Sequence, residues 1–145
     1  MNASRRLAGF AATVLALNVV AAIVAVVVNL PTQFGKTGTD AGEDVLTSGT
    51  AISAPLLPVA ILLVSLILVL RTDRWAYVGI GGSYLVALLL LIGAIGEIAA
   101  EGTSDTPKEV LVVSGIVWCA IAVTLVGLAT AALVERRRAP GPQAG

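Results

Sequence analysis

Residues 51–96 decide the fold class of the chain, and they read AISAPLLPVAILLVSLILVLRTDRWAYVGIGGSYLVALLLLIGAIG. The stretch holds two charge-free apolar runs, 51–70 and 75–96. Each is about 20 residues long, which is enough for a helix to cross about 30 Å of hydrocarbon. Only 71–74 lies between the runs, and so short a connection forces an antiparallel helical hairpin. We therefore predict two adjacent membrane-spanning helices here.

Two further charge-free runs, 7–28 and 110–134, lie on either side of this stretch. Polar backbone groups in hydrocarbon must be hydrogen-bonded internally, so apolar runs this long are helices. None of the runs alternates polar and apolar residues as a transmembrane barrel does. We therefore predict an all-α, polytopic membrane protein that forms a four-transmembrane-helix bundle. The predicted divisions are a single domain at 1–138, spans at about 7–29, 51–70, 75–97 and 108–134, and a disordered cytoplasmic tail at 139–145.

The first run has an alternative interpretation as a cleaved signal peptide, because Arg5 and Arg6 precede it. The apolar core of a signal peptide has about 7–15 residues, and this charge-free run is longer. We therefore expect it to remain in the protein as a span.

The composition excludes several classes of protein. Hydrophobic residues make up 57% of the chain and charged residues 12%, against about 45–50% and about 25% in a soluble domain. Nine basic residues balance nine acidic ones, so no positive excess attracts nucleic acid. The chain has no His and one Cys, which leaves no Cys/His metal site and no catalytic Ser/His or Cys/His pair. We expect a protein that is not an enzyme and that uses no cofactor or metal.

Basic residues predict the orientation, because the cytoplasmic ends of spans carry the excess of Lys and Arg. In a four-span arrangement, only Lys36 and Lys108 fall on the outer side. The basic residues on the other side are Arg5, Arg6, Arg71, Arg74, Arg136, Arg137 and Arg138. We therefore predict a multi-pass cell-membrane protein with cytoplasmic N- and C-termini. The excess of Arg over Lys and the abundance of Ala and Val are typical of GC-rich bacteria, which favours a bacterial inner membrane.

Glu97 is the first candidate functional residue, since it closes the third span at the outer interface. The small residues on the same helical face are Gly79, Gly82, Ser83 and Gly93. Such a face lets a neighbouring helix approach closely, so we predict that it packs against a helix and that Glu97 faces protein. An ionisable residue in that position is a candidate for binding a cation or relaying a proton. The interpretation that we favour is a carboxylate wetted by the outer water, with Glu101 one turn further on, because Glu97 lies so near the membrane edge.

Asn18 is the second candidate and lies near the middle of the first span. A mid-membrane amide prefers a hydrogen-bonding partner across a helix interface, and this is the role we predict. The functional alternative is a polar lining for the path of a small solute.

Pro55 and Pro58 leave the start of the second helix open. One alternative is a helix that begins at Ala51 and bends at Pro58, whose nitrogen has no hydrogen to donate. The other is a helix that begins at the prolines, which we favour because proline is common in a first helical turn. That helix is short for a span.

The fourth span carries a second face of small residues. Its members, spaced three or four positions apart, are Ala120, Thr124, Gly127 and Ala131. This spacing puts them on one side of a helix, and we predict helix packing there.

Helix faces formed by small residues, without catalytic groups, predict a non-catalytic accessory or scaffold subunit that acts through helix–helix contacts. Its expected partners are the lipid bilayer and other membrane protein subunits or further copies of itself, with no nucleic acid. The alternative is a small homo-oligomeric transporter or channel for a cation or small solute, in which Glu97 and Asn18 are the residues to test.

Overall fold

The computed structural model describes residues 2–30, 42, 49–101 and 106–138. The helices with described bounds are α1 Ala3–Val27, α2 Leu56–Val69, α3 Trp75–Ala99 and α4 Lys108–Arg138. The prediction of an all-helical chain is confirmed for this part of the sequence. Three helices, α1, α3 and α4, are long and apolar enough to cross a membrane. The fourth, α2, has 14 residues, or about 21 Å, and is too short to cross alone. The predicted tail at 139–145 lies outside the described residues.

The four helices form a ring in which each packs mainly on two others. The first and third helices each contact both α2 and α4. The helices α2 and α3 are antiparallel, since Gly79 in the second turn of α3 packs against Val69 at the end of α2. Between them, the Asp73 carboxylate accepts a hydrogen bond from Trp75 N at 3.1 Å. The core of this ring is mostly aliphatic and includes Leu7, Val69, Ile80, Val86, Leu90 and Leu125.

Glycines determine how closely α3 approaches its two neighbours. A Cβ on Gly79 would lie 2.5 Å from Val69 N in α2. A Cβ on Gly115 of α4 would lie 2.8 Å from Ala94 O in α3. Side-chain carbons do not come that close to backbone atoms, so glycine at these two positions allows both helix contacts.

The second helix begins later than the predicted span does. Residues 51–55 were expected inside the span, but they are not helical, and α2 begins at Leu56 directly after Pro55. Of the two alternatives left by the prolines, the structure has the helix that starts there. Proline disfavours helical backbone in the residue before it, which is Ala54, and Pro55 itself is extended with φ −57° and ψ 157°.

One end of the ring gathers the start of α1, the end of α2 and the end of α4. The Arg136 guanidinium of α4 donates to Val69 O at 3.0 Å and to Arg71 O at 2.7 Å. These carbonyls lie at the end of α2, where the helix supplies no further N–H groups to bond them. The helix dipole also attracts a positive charge there. At the same end, Ala3 N donates to the Glu135 carboxylate at 2.5 Å. Arg136 therefore closes α2, in addition to adding positive charge to this end of the molecule.

Candidate functional site

Asn18 is buried, with 7% of its surface exposed, and its side chain reaches the chain that leads into α2. Its Oδ1 accepts a hydrogen bond from Ala54 N at 2.6 Å. The sequence predicted a partner across a helix interface. The partner is instead a backbone amide of the non-helical residues before α2.

These residues, 49–55, form a compact turn that we call the entry segment. Gly49 has a φ of +81°, and a Cβ there would lie 2.7 Å from Ser53 O, so the turn favours glycine. The buried hydroxyls of Thr50 and Ser53 lie 2.8 Å apart and share a hydrogen bond. Thr50 Oγ1 also accepts from Ser53 N at 3.1 Å, and Thr50 N donates to Ser53 O at 3.1 Å. The segment thus pairs many of its own polar groups.

Trp118 forms a second side-chain hydrogen bond to the entry segment. It lies in the middle of α4, is buried, and its Nε1 donates to Ile52 O at 3.3 Å. Sequence reasoning missed this residue. The available signal was a tryptophan far from both helix ends, because a buried indole N–H needs an acceptor. The entry segment is therefore held between α1 and α4 by one side chain from each.

A small void lies beside this arrangement and has a volume of about 10 Å³. Its lining includes Asn18, Pro58, Leu62, Val86 and Trp118. Such a volume is about the minimum for one water molecule, and the surrounding atoms are apolar. The void is too small for a solute, and the hydrogen bond that Asn18 makes beside it goes to Ala54 N.

Glu97 lies in the last turn of α3 and faces Ser114 of α4. Ser114 has 8% of its surface exposed. The two side chains interact electrostatically but form no hydrogen bond of good geometry. Glu97 Oε2 and Ser114 Oγ are both buried, and neither has a hydrogen-bond partner among the described residues. The helices thus bring together two polar oxygens and leave them unpaired.

The small residues of α3 do not share one environment. Gly79 packs on α2, and a Cβ on Gly82 would overlap the Ser65 hydroxyl of the same helix. Ser83 is buried and donates to Gly79 O at 3.0 Å, within its own helix. Gly93 differs, because no described atom outside its own stretch of helix lies within 4 Å of the position that its Cβ would take. The face toward α2 therefore ends before Gly93.

The small residues of α4 lie on the outside of the ring. Ala120, Thr124, Gly127 and Ala131 are all exposed. Around a Cβ on Gly127, no described atom beyond its own helix lies within 4 Å. Thr124 Oγ1 donates within its helix to Ala120 O at 2.8 Å. The described chain itself does not cover this face.

Comparison with known proteins finds no family model, curated protein or solved structure that matches the chain. Among the described residues, no three His, Cys, Asp or Glu side chains group together as metal ligands would. The functional interpretation therefore depends on the geometry of the chain itself.

Proposed function

We propose that the chain crosses the bilayer four times and that residues 51–69 make the second crossing. The 14 helical residues of α2 supply about 21 Å. The entry segment before it is a compact turn and adds less than its extended length, so this crossing is shorter than about 30 Å and the bilayer has to thin locally around it. Non-helical backbone is tolerated at that depth only where protein groups pair it, as Asn18 and Trp118 do here.

The proposed orientation puts both termini in the cytoplasm. The arginines near the spans all lie toward one end of the ring, at the starts of α1 and α3 and at the ends of α2 and α4. This asymmetry supports a cytoplasmic location for that end of the ring. The proposed location is a bacterial inner membrane.

Within this membrane, the proposed function is that of a non-catalytic accessory or scaffold subunit. The observation that supports this function is an uncovered face of α4 formed by Ala120, Thr124, Gly127 and Ala131. Inside the chain, Gly79 and Gly115 show what small residues do in this bundle, since each lets a second helix come close. The α4 face has the same kind of residues but no helix against it in the described chain. A transmembrane helix of another subunit fits this face, because small residues favour close packing in lipid.

The test is native mass spectrometry of the protein extracted gently from its own membrane, as wild type and as Gly127→Leu. We expect the wild type to carry a partner subunit and Gly127→Leu to lose it. Gly81→Leu is the matched control, because Gly81 is also exposed and also has open space at its Cβ position. The proposal fails if the wild type is a monomer, or if Gly127→Leu keeps the partner as well as Gly81→Leu does.

A second candidate function is cation transport by a homo-oligomer, and the pair Glu97 and Ser114 favours it. Their buried, unpaired oxygens are the kind of group that lines an ion path. Four helices enclose little space, so a path would need several protomers. Flux into liposomes should fall in Glu97→Gln, whereas equal flux in both proteins would remove this candidate.

A further inference from the structure

We propose that Glu97 and Ser114 form a binding site for an alkali-metal cation between α3 and α4. The inference deepens the second candidate function by naming the class of ion. Binding does not require transport, so the site can exist in a protein that carries no flux.

The first observation is the pair of unpaired oxygens. Glu97 Oε2 and Ser114 Oγ are buried and make no hydrogen bond among the described residues. Ser114 is more than nine-tenths buried, at 8% exposed. Leaving buried polar atoms unpaired is costly, and most such atoms in proteins have a partner. A cation between the two side chains satisfies both oxygens at once.

The charges around the site favour a cation over an anion. Glu97 lies in the final turn of α3, where the unpaired carbonyls give the helix end a partial negative charge. Among the described residues, Glu97 takes part in no salt bridge. The nearest charged residues along the two helices, Glu101, Lys108 and Glu109, are all exposed. The carboxylate therefore has no internal counter-ion in the described chain.

The donor set identifies the class of cation. Calcium takes six to eight oxygens, usually with several carboxylates, and softer metals require His or Cys. The site has one carboxylate and one hydroxyl, and the described chain has no cluster of three metal-ligating side chains. A single positive charge neutralises a single carboxylate, which lowers the cost of keeping that charge away from water. An alkali cation carries one charge and takes oxygen ligands, and unpaired backbone carbonyls in the last turn of α3 together with water would complete its coordination.

Rigid packing holds the two side chains in place. Gly115 follows Ser114 directly, and its missing side chain lets Ala94 O and Ile98 of α3 approach α4. Ser114 also lines a groove of about 440 Å³ between α1 and α4 that extends to Glu109 near the start of α4. The lining of this groove is almost entirely apolar, and Glu97 is not part of it.

The test is thermal unfolding of the full-length protein in nanodiscs of uncharged lipid, followed by tryptophan fluorescence. NaCl, KCl or LiCl replaces choline chloride at constant pH and ionic strength. We expect the midpoint temperature to rise with at least one alkali cation and then to saturate, because ligand binding stabilises the folded state. Glu97→Gln should abolish the rise, and the control Glu101→Gln should keep it. The proposal is overturned if all three cations act as choline does, or if Glu97→Gln responds fully.

Ser114 provides a second arm that is independent of how well Glu97→Gln folds. Ser114→Ala removes the hydroxyl, and Ser114→Thr keeps it. We expect Ser114→Ala to raise the half-saturating concentration roughly tenfold, as the loss of one ligand to a charge would. Equal responses of the two variants would contradict the assignment of Ser114. Flux is measured separately, so an intact midpoint shift without flux removes the transport function but keeps the site.

Discussion

Two groups of buried polar side chains in the ring differ in how they are paired. In the first group, Asn18, Trp118 and the entry segment form a set in which amides, carbonyls and hydroxyls are hydrogen-bonded to one another. In the second group, Glu97 and Ser114 face each other with buried oxygens that have no partner in the described chain. A polar group that is fully paired stabilises the fold, whereas an unpaired one is available to a ligand. The contrast separates the structural polar residues of this protein from the candidate binding residues.

The largest effect on stability is expected from Asn18→Leu. The substitution leaves Ala54 N buried without its acceptor, which costs about 1–3 kcal/mol of unfolding free energy. Reversible unfolding in detergent measures this difference. Thr13→Val is the control, because Thr13 is exposed and bonds only within its own helix. If both variants lose equally little stability, the entry segment does not depend on Asn18, and the contrast between the two groups of polar residues weakens.

A smaller effect is expected from Trp118→Phe, which keeps an aromatic ring but removes the donor to Ile52 O. The loss should be about 1 kcal/mol, the usual contribution of one hydrogen bond. Trp75→Phe serves as the comparison, since Trp75 is 46% exposed and lies at the start of α3. Unfolding of both variants in the same detergent measures the difference. A loss in Trp75→Phe that matches or exceeds the loss in Trp118→Phe would count against a clamp on the entry segment.

The smallest effect on stability is expected from Glu97→Gln in choline chloride. The glutamine side chain has nearly the same shape as the glutamate side chain. The substitution removes a buried charge that has no counter-ion in the described chain. Unfolding free energy should stay within about 0.5 kcal/mol of the wild type or exceed it. A loss as large as that of Asn18→Leu would mean that Glu97 has a structural role, and the contrast between the two groups of polar residues would disappear.

The sequence predicted the parts of the fold that depend on long apolar runs. The runs 7–28, 75–96 and 110–134 correspond to α1, α3 and α4, because length and hydropathy are enough to identify a helix of spanning size. The start of α2 could not be fixed in the same way. The run 51–70 is apolar throughout, so the helix start favoured by the sequence depended on the prolines alone, and the structure has it at Leu56. Only the structure shows that the residues before it are paired by distant side chains.

The sequence was less informative about which small residues face the interior. Gly79 and Gly127 both belong to stripes of small residues, yet one packs against a helix and the other lies in open space. In a soluble protein, polar residues identify the outer face of a helix. In a membrane protein, lipid is as apolar as the core, so this signal is missing. Trp118 lies far from both helix ends, where a buried indole N–H needs an acceptor, but nothing in the sequence identifies the carbonyl of Ile52 as that acceptor.

The entry segment also has a consequence for the order in which the protein is completed during synthesis. Its two supports come from opposite parts of the chain: Asn18 precedes Ala54 by 36 residues, and Trp118 follows Ile52 by 66 residues. A ribosome makes the chain from its N-terminus, so Asn18 is available when the entry segment emerges and Trp118 is not. Until the last helix joins the others, the carbonyl of Ile52 lacks the partner that it has in the finished protein. A nascent chain that stops short of α4 therefore carries an unfinished second crossing.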